Sequence, residues 1–252
     1  MFKRDAVTYE YDETLISYIL RDDANPLRRI CDIIPNHSKV LDIGAGNGLL
    51  AVVMKSLNKD VIIDGIEPDS HAAGIALPRY RFFWSGYFQD CKELIQQELY
   101  DYIVMADVLE HIDDPQLFLD SLISMIPGKT KIVLSIPNIA FGAVRLDLLK
   151  GNFRYVDSGI LEKTHLRFFT LDTVLQLMSR SGLAVEKLYF LQRDFFKTDI
   201  PHNPADLGWK TLSLLMKDEL ASTYQFLLLL SRTPTPVQTE EKYYGQKTRI
   251  SM

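Results

Sequence analysis

The sequence predicts an α/β protein built on a doubly wound sheet with helices on both faces. Three observations carry that expectation. From residue 39 onward, short apolar runs alternate with helical stretches, the pattern of parallel strands joined by crossover helices. The chain has 252 residues, 47% of them apolar, enough to bury a sizeable core. One apolar run, Val40 to Ile43, leads straight into a glycine turn, as it would at the crevice of such a sheet. Length alone allows one large domain or two small ones, and the unbroken alternation favours one.

The elements follow in order. Residues 1–38 carry apolar side chains at helical spacing, first Leu15, Ile16, Ile19 and Leu20, then Leu27, Ile30, Ile33 and Ile34, and are predicted to form a helical cover over the sheet. The main domain, 39–231, holds seven candidate strands: Lys39–Ile43, Val61–Ile66, Arg81–Ser85, Tyr102–Ala106, Lys131–Ile136, Val185–Phe190 and Tyr224–Leu230. Asp114 caps a helix with Pro115 at its first position and an apolar face of Phe118, Leu119, Leu122 and Ile126. Thr170 caps another that carries Val174, Leu175 and Met178 and stops at Gly182. Residues 210–217 read as an ordinary amphipathic helix between the last two strands. Residues 137–169 separate a strand from its helix by far more than the usual few residues, which predicts a lid or a binding wall. Residues 232–252, rich in Thr, Lys, Glu and Pro, read as a disordered tail.

Composition removes several classes of function. With 28 Lys+Arg against 33 Asp+Glu, a net charge of −5, the chain lacks the basic face that nucleic-acid binding needs, so a small or neutral partner is expected. Two cysteines, Cys31 and Cys91, make no disulfide framework, and no His, Cys or carboxylate pair has the sequence spacing of a closed metal site. A metal-independent reaction is therefore expected. The first residues turn polar at once and no apolar run is long enough for a bilayer, so the chain is expected to be cytoplasmic, with no membrane partner and a homodimer left open.

The run Val40 to Gly48 carries the chemistry. Gly44, Gly46 and Gly48 clear side chains from a tight turn that a ligand must approach closely. Leu49 stands where the dinucleotide fingerprint wants its third glycine, which argues against NAD. Glu67 closes the second strand in Gly65-Ile66-Glu67-Pro68, placed to accept both hydroxyls of a ribose, or else to cap the helix that follows. A nucleoside-containing ligand follows from the pair.

The run VLDIGAGNG, then Glu67, then Asp101 to His111, then Pro127-Gly128, resembles the ordered motifs of class I S-adenosylmethionine-dependent methyltransferases over about residues 38–190. The resemblance implies a Rossmann-like seven-stranded sheet with its last strand antiparallel, and a cofactor over the strands' carboxyl ends, leaving S-adenosylhomocysteine as product. It implies that Gly44, Ala45, Gly46 and Gly48 flank the methionine part, that Asp42 reaches its ammonium, and that Glu67, with Pro68 beside it, holds the ribose. Asp107 and Val108 would line the methionine side, with Leu109-Glu110-His111 near the reactive methyl. Where the family often has an acid for the adenine amino group, this chain reads Gly86-Tyr87-Phe88; Tyr87, Phe88, Trp84 and Asp90 are the alternatives there.

Ser135 to Asn138 and Lys163 to Thr170 resemble a bacterial subgroup associated with glycan and polysaccharide biosynthesis, whose insertion is similar to 145–155. The implied reaction is O-methylation of a small-molecule or glycan-type acceptor. The alternatives are N-methylation of an amine such as an amino sugar, or a non-catalytic cofactor-binding partner subunit. His111 and His165 are the candidate bases. His111 otherwise holds its own turn, and His165 otherwise locks the lid, with Arg167 pairing Asp157 or Glu162 or else touching substrate. Asn138 orients a substrate group or makes an Asx-type turn after Pro137. His37, His71 and His202 are expected at the surface.

Overall fold

Burial on both sides explains why the strands read as continuous apolar runs rather than alternating ones. In the computed structural model, which describes residues 13–194, 196, 198, 200, 208–232 and 243–244, the strands are β1 (Lys39–Ile43), β2 (Ile62–Glu67), β3 (Phe83–Ser85), β4 (Tyr102–Ala106), β5 (Lys131–Pro137), β6 (Ala184–Gln192), β7 (Thr223–Ser231) and β8 (Tyr243–Tyr244). They form one sheet ordered β3-β2-β1-β4-β5-β7-β6-β8. Strand β7 runs antiparallel to both β5 and β6, while β1 to β5 pair in parallel. The seven expected strands are present. β3 is shorter than expected, starting at Phe83; just before it, the Phe82 amide donates to the Asp64 side chain instead of a backbone carbonyl.

Successive residues face opposite cores. Val40, Val104, Val133, Leu227 and Leu229 point to one face, under α1 (Glu13–Arg21), α2 (Pro26–Ile33), α3 (Leu49–Ser56) and α4 (Ser70–Ala76). Leu41, Ile103, Met105, Ile132, Leu134, Phe226 and Leu228 point to the other, under α5 (Lys92–Gln97), α6 (Pro115–Met125) and α8 (Leu171–Arg180). Asp114 caps α6 by accepting from the Leu117 amide at 3.0 Å, and Thr170 forms a capping box with Thr173 at the start of α8. Residues 1–12 of the expected cover lie outside the described residues. The rest packs as α1 and α2, and Arg193 at the end of β6 pins it by a two-pronged ion pair to Asp22 at 3.0 and 2.5 Å.

The insertion is a folded wall rather than a bare loop. It opens with α7 (Gly142–Leu149) and closes through single bridges between Val156 and Glu162 and between Asn138 and Phe169. A third small core, with Phe141, Val144, Leu146, Ile160 and Leu161, joins it to Leu215 of α9 (Trp209–Lys217). In the segment expected to be a tail, Tyr243–Tyr244 pairs in parallel with β6 as β8; residues 233–242 and 245–252 lie outside the described residues. Cys31 and Cys91 are free and buried.

Candidate functional site

The strand order reverses between β1 and β4, so a crevice opens at their carboxyl ends. The β1 turn fills one side of it. Gly44, Gly46 and Gly48 take φ values of +72°, +54° and +86°, which L side chains rarely adopt. The amides of Gly44 and Ala45 both donate to the Ile66 carbonyl, at 2.9 and 3.0 Å, so the turn is bolted to β2. A Cβ on Gly44 would stand 2.7 Å from Val108 Cγ2, which is how the β4 tip seats against the turn. A Cβ on Gly46 would meet nothing within 4 Å, so the turn fronts open space, and Gly48 begins α3.

Two buried carboxyls flank the turn. Asp42, on β1, accepts from the Tyr80 hydroxyl at 2.7 Å; burial pushes its pKa up to about 7, an effect that this hydrogen bond opposes and the nearby Glu67 reinforces. Glu67 accepts from the Gly46 amide and from the Asp69 amide, each at 2.8 Å, and burial raises its pKa as well. Asp69, not Glu67, caps α4, accepting from the Ala72 amide at 2.8 Å. Pro68 follows Glu67 at the surface.

At the β3 end, Tyr87 is exposed while Phe88 is buried with its ring 4.7 Å from that of Phe118. Trp84 is half-buried against the same core, and Asp90 is exposed.

Strand β4 ends in Asp107, held at φ +56°, a strained conformation for a residue with a side chain. Its Oδ1 accepts from Ser135 Oγ at 2.7 Å and Gln225 Nε2 at 2.8 Å, and burial raises its pKa. The next turn, Leu109–His111, carries the most unusual group. Glu110 is 1% exposed, and among the described residues neither carboxylate oxygen has a hydrogen-bond partner. Burial raises its pKa well above the ordinary range, and the Asp107 and Glu162 charges add to that. Asp64 shows the contrast: equally buried, it is met by Arg81, Tyr100 and the Phe82 amide.

The insertion closes on this turn. The Glu110 carbonyl accepts from the amides of Leu166 and Arg167 at 2.7 and 3.0 Å. The His111 and His165 rings meet edge to face, their centroids 4.8 Å apart. His165 Nδ1 lies 2.9 Å from the Ile160 carbonyl, which can only accept, so Nδ1 carries the proton and Nε2 the lone pair. His111 Nδ1 lies 3.3 Å from the Thr164 carbonyl and 3.1 Å from Thr164 Oγ1, whose own proton goes to Glu162 at 2.5 Å; the same tautomer follows.

The structure thus brings Asp42, Gly44, Ala45, Gly46, Gly48, Glu67 and Val108 together at one crevice, with Asp107, His111 and His165 beyond Val108. Arg167 is half-exposed and pairs with Asp113 at 3.1 Å, while Lys163 takes Asp157 at 2.9 Å. Asn138 is fully buried: its Nδ2 donates to the Thr223 and Leu220 carbonyls, and its Oδ1 accepts from the Ala140 amide in an Asx turn. His37 and His71 are exposed, and His202 lies outside the described residues. Sequence reasoning gave Glu110 no role of its own. Its only signal was an acid between Leu109 and His111 just past a strand's carboxyl end.

This sheet order with one antiparallel strand, a glycine turn after β1 and an acid closing β2, defines a class I methyltransferase. A family model described as a methyltransferase domain matches residues 15–188, and the chain belongs to that family. It is similar to ubiquinone biosynthesis O-methyltransferases from Rickettsia canadensis (24% identical, covering 64% of this chain and 69% of that one) and from Azoarcus sp. (28%, covering 68% and 81%). Among solved structures, a methyltransferase from Thermotoga maritima, described as a possible histamine N-methyltransferase, superposes with a TM-score of 0.57 at 16% identity (87% and 94% covered). One from Archaeoglobus fulgidus gives 0.56 at 15% (87% and 100%). The chain is accordingly an S-adenosylmethionine-dependent methyltransferase. Its residues fit that cationic cofactor: the turn fronts open space at Gly46, and among the described residues no ion pair meets the two buried carboxyls beside it.

Proposed function

We propose that this methyltransferase acts on a hydroxyl oxygen of a small-molecule or glycan-type acceptor, held between the glycine turn and the insertion wall. In this reading Asp42 faces the cofactor's ammonium, Glu67 receives the ribose hydroxyls, and Val108 and Asp107 line the methionine side. When bound, S-adenosylmethionine supplies a methyl carbon on a sulfonium. The acceptor oxygen loses its proton and displaces the thioether in line, so positioning and proton removal are the protein's share.

The observation that carries the reading is the pair of imidazoles, each with its basic Nε2 fixed by a bond at Nδ1, packed beside the β4 turn next to Val108. The wall adds the exposed rings of Phe153, edge-on to Phe168 at 5.6 Å, and Tyr155, tilted against it at 6.4 Å, aromatic surface on which a sugar or a phenol can lie. The O-methyltransferase names of the relatives support oxygen as the target. A second reading, transfer to an amine, is favoured by the acids Asp107, Glu110 and Glu162 gathered around the same turn.

S-adenosylhomocysteine should raise the melting temperature of the native chain and leave Glu67→Ala unmoved; stabilisation by NAD instead overturns the cofactor site. In a panel of phenols, glycans and amines, His111→Ala and His165→Ala should each be compared with the native enzyme. Loss of about 100-fold or more in kcat in one of them supports a role in proton removal. Methylation of amines alone, unaffected by either change, refutes the hydroxyl reading.

A further inference from the structure

We propose that Glu110, His111 and His165 form a binding site for one divalent transition-metal cation, with zinc the best match. One ligand atom from each residue lies within 4.8 Å of the others. Two imidazole nitrogens and one carboxylate oxygen are the three-ligand set that leaves a zinc position open. The site rests on the reading of the β4 turn as the reacting end of the crevice only for its catalytic meaning, not for its existence.

Three features separate it from a chance gathering of polar groups. First, Glu110 is 1% exposed with both oxygens unpartnered, an expensive arrangement that a bound cation would satisfy. Second, each histidine is oriented from behind. The Ile160 carbonyl fixes His165, and the chain Glu162–Thr164–His111 fixes the other, so in each ring Nε2 carries the lone pair, as in metal-bound histidines whose other ring nitrogen an acceptor holds. Third, Asp107 and Glu162 add negative charge around Glu110. Ligand atoms around a tetrahedral zinc stand about 3.3 Å apart, so a cluster whose ligand atoms lie within 4.8 Å contracts by up to about 1.5 Å on loading. The sequence hid the set because its third member is 54 positions from its second and arrives on the insertion.

The cation would change how the proposed reaction is helped. With it bound, the imidazoles hold the ion, and a cation beside the acceptor hydroxyl lowers that hydroxyl's pKa; without it, a histidine takes the proton directly.

The test uses the full chain, free of affinity tags, titrated with zinc chloride and separately with cobalt chloride. One equivalent of zinc should bind and raise the melting temperature, and cobalt should give a visible absorption band of four- or five-coordinate N/O ligation. Glu110→Gln and His165→Ala should each weaken binding at least 10-fold and abolish the band, while His37→Ala and His71→Ala leave both unchanged. Glu110→Gln replaces an unpartnered buried carboxyl with a neutral amide of the same shape, so its unloaded form should fold about as well as the native chain. No zinc binding by the native chain, or binding unaffected by Glu110→Gln and His165→Ala, overturns the site. If zinc does not bind yet the histidine variants lose transfer, direct proton removal stands and the metal site falls. If zinc binds as expected yet the histidine variants keep full transfer, the site stands and the catalytic reading falls.

Discussion

At the residue scale, Asp42 shows what burial does to a carboxyl that accepts from the Tyr80 hydroxyl. Its folded pKa of about 7 lies above the unfolded value near 3.8. A raised carboxyl pKa means that folding favours the protonated form, so between those values stability falls as pH rises, and the full cost is present above pH 7. Asp42→Asn should therefore raise the melting temperature of the cofactor-free protein, and more at pH 8 than at pH 5. A gain equal at both values would show that Asp42 carries no buried charge. The same variant should weaken S-adenosylhomocysteine binding at pH 8, by at least 10-fold in a calorimetric titration. Such behaviour was only partly legible in the sequence. The motif places Asp42 one residue before the end of β1, but its burial and the Tyr80 hydroxyl come from a segment 38 residues on. Glu110 was less legible still, because its neighbours His165 and Glu162 are brought in by the insertion and leave no trace in local spacing.

At the element scale, strands and caps were readable where local chemistry decides them. Asp114-Pro115 and Thr170 start α6 and α8 as expected, since a side-chain oxygen over the first turn needs no tertiary help. The insertion was readable as an anomaly of length but not as a fold: its core borrows Leu215 from α9 and its bridges span up to 31 positions. Asn138 followed the local rule of an Asx turn. Its position at the end of a strand, where binding residues gather, was a weaker guide than its own backbone. Because backbone bonds to the Glu110 carbonyl hold the amides of Leu166 and Arg167, those two should exchange hydrogen more slowly than the exposed 153–155 stretch. Thr164→Val, which cuts the Glu162–Thr164–His111 chain, should leave that slow exchange in place. Fast exchange at both amides in the native protein would mean that the wall is not closed in solution.

At the scale of the whole molecule, the ion pair of Arg193 with Asp22 fastens the helical cover to the far end of β6. Arg193 holds the Asp22 carboxyl below its usual range, against the effect of burial. A depressed carboxyl pKa contributes stability above the unfolded pKa and loses it as pH falls through the folded one. Arg193→Met should lower the melting temperature by a few degrees at pH 7, with the gap narrowing below about pH 4 as Asp22 takes up a proton. A gap that is constant with pH would assign the loss to packing instead of charge. Among the described residues no helix is long and apolar enough to cross a membrane.

Beside the His111 contacts to Thr164 and His165, the seam between insertion and β4 turn has a main-chain part: two amides on one carbonyl. Main-chain bonds do not care which side chains hang beside them. The outward faces of Phe153, Tyr155 and Leu166 can thus be exchanged while those backbone bonds hold the wall against the β4 turn, which the proposed function makes the reacting end. If that wall receives the acceptor as proposed, its preference can be changed by altering side chains on the surface, without moving the backbone that carries them.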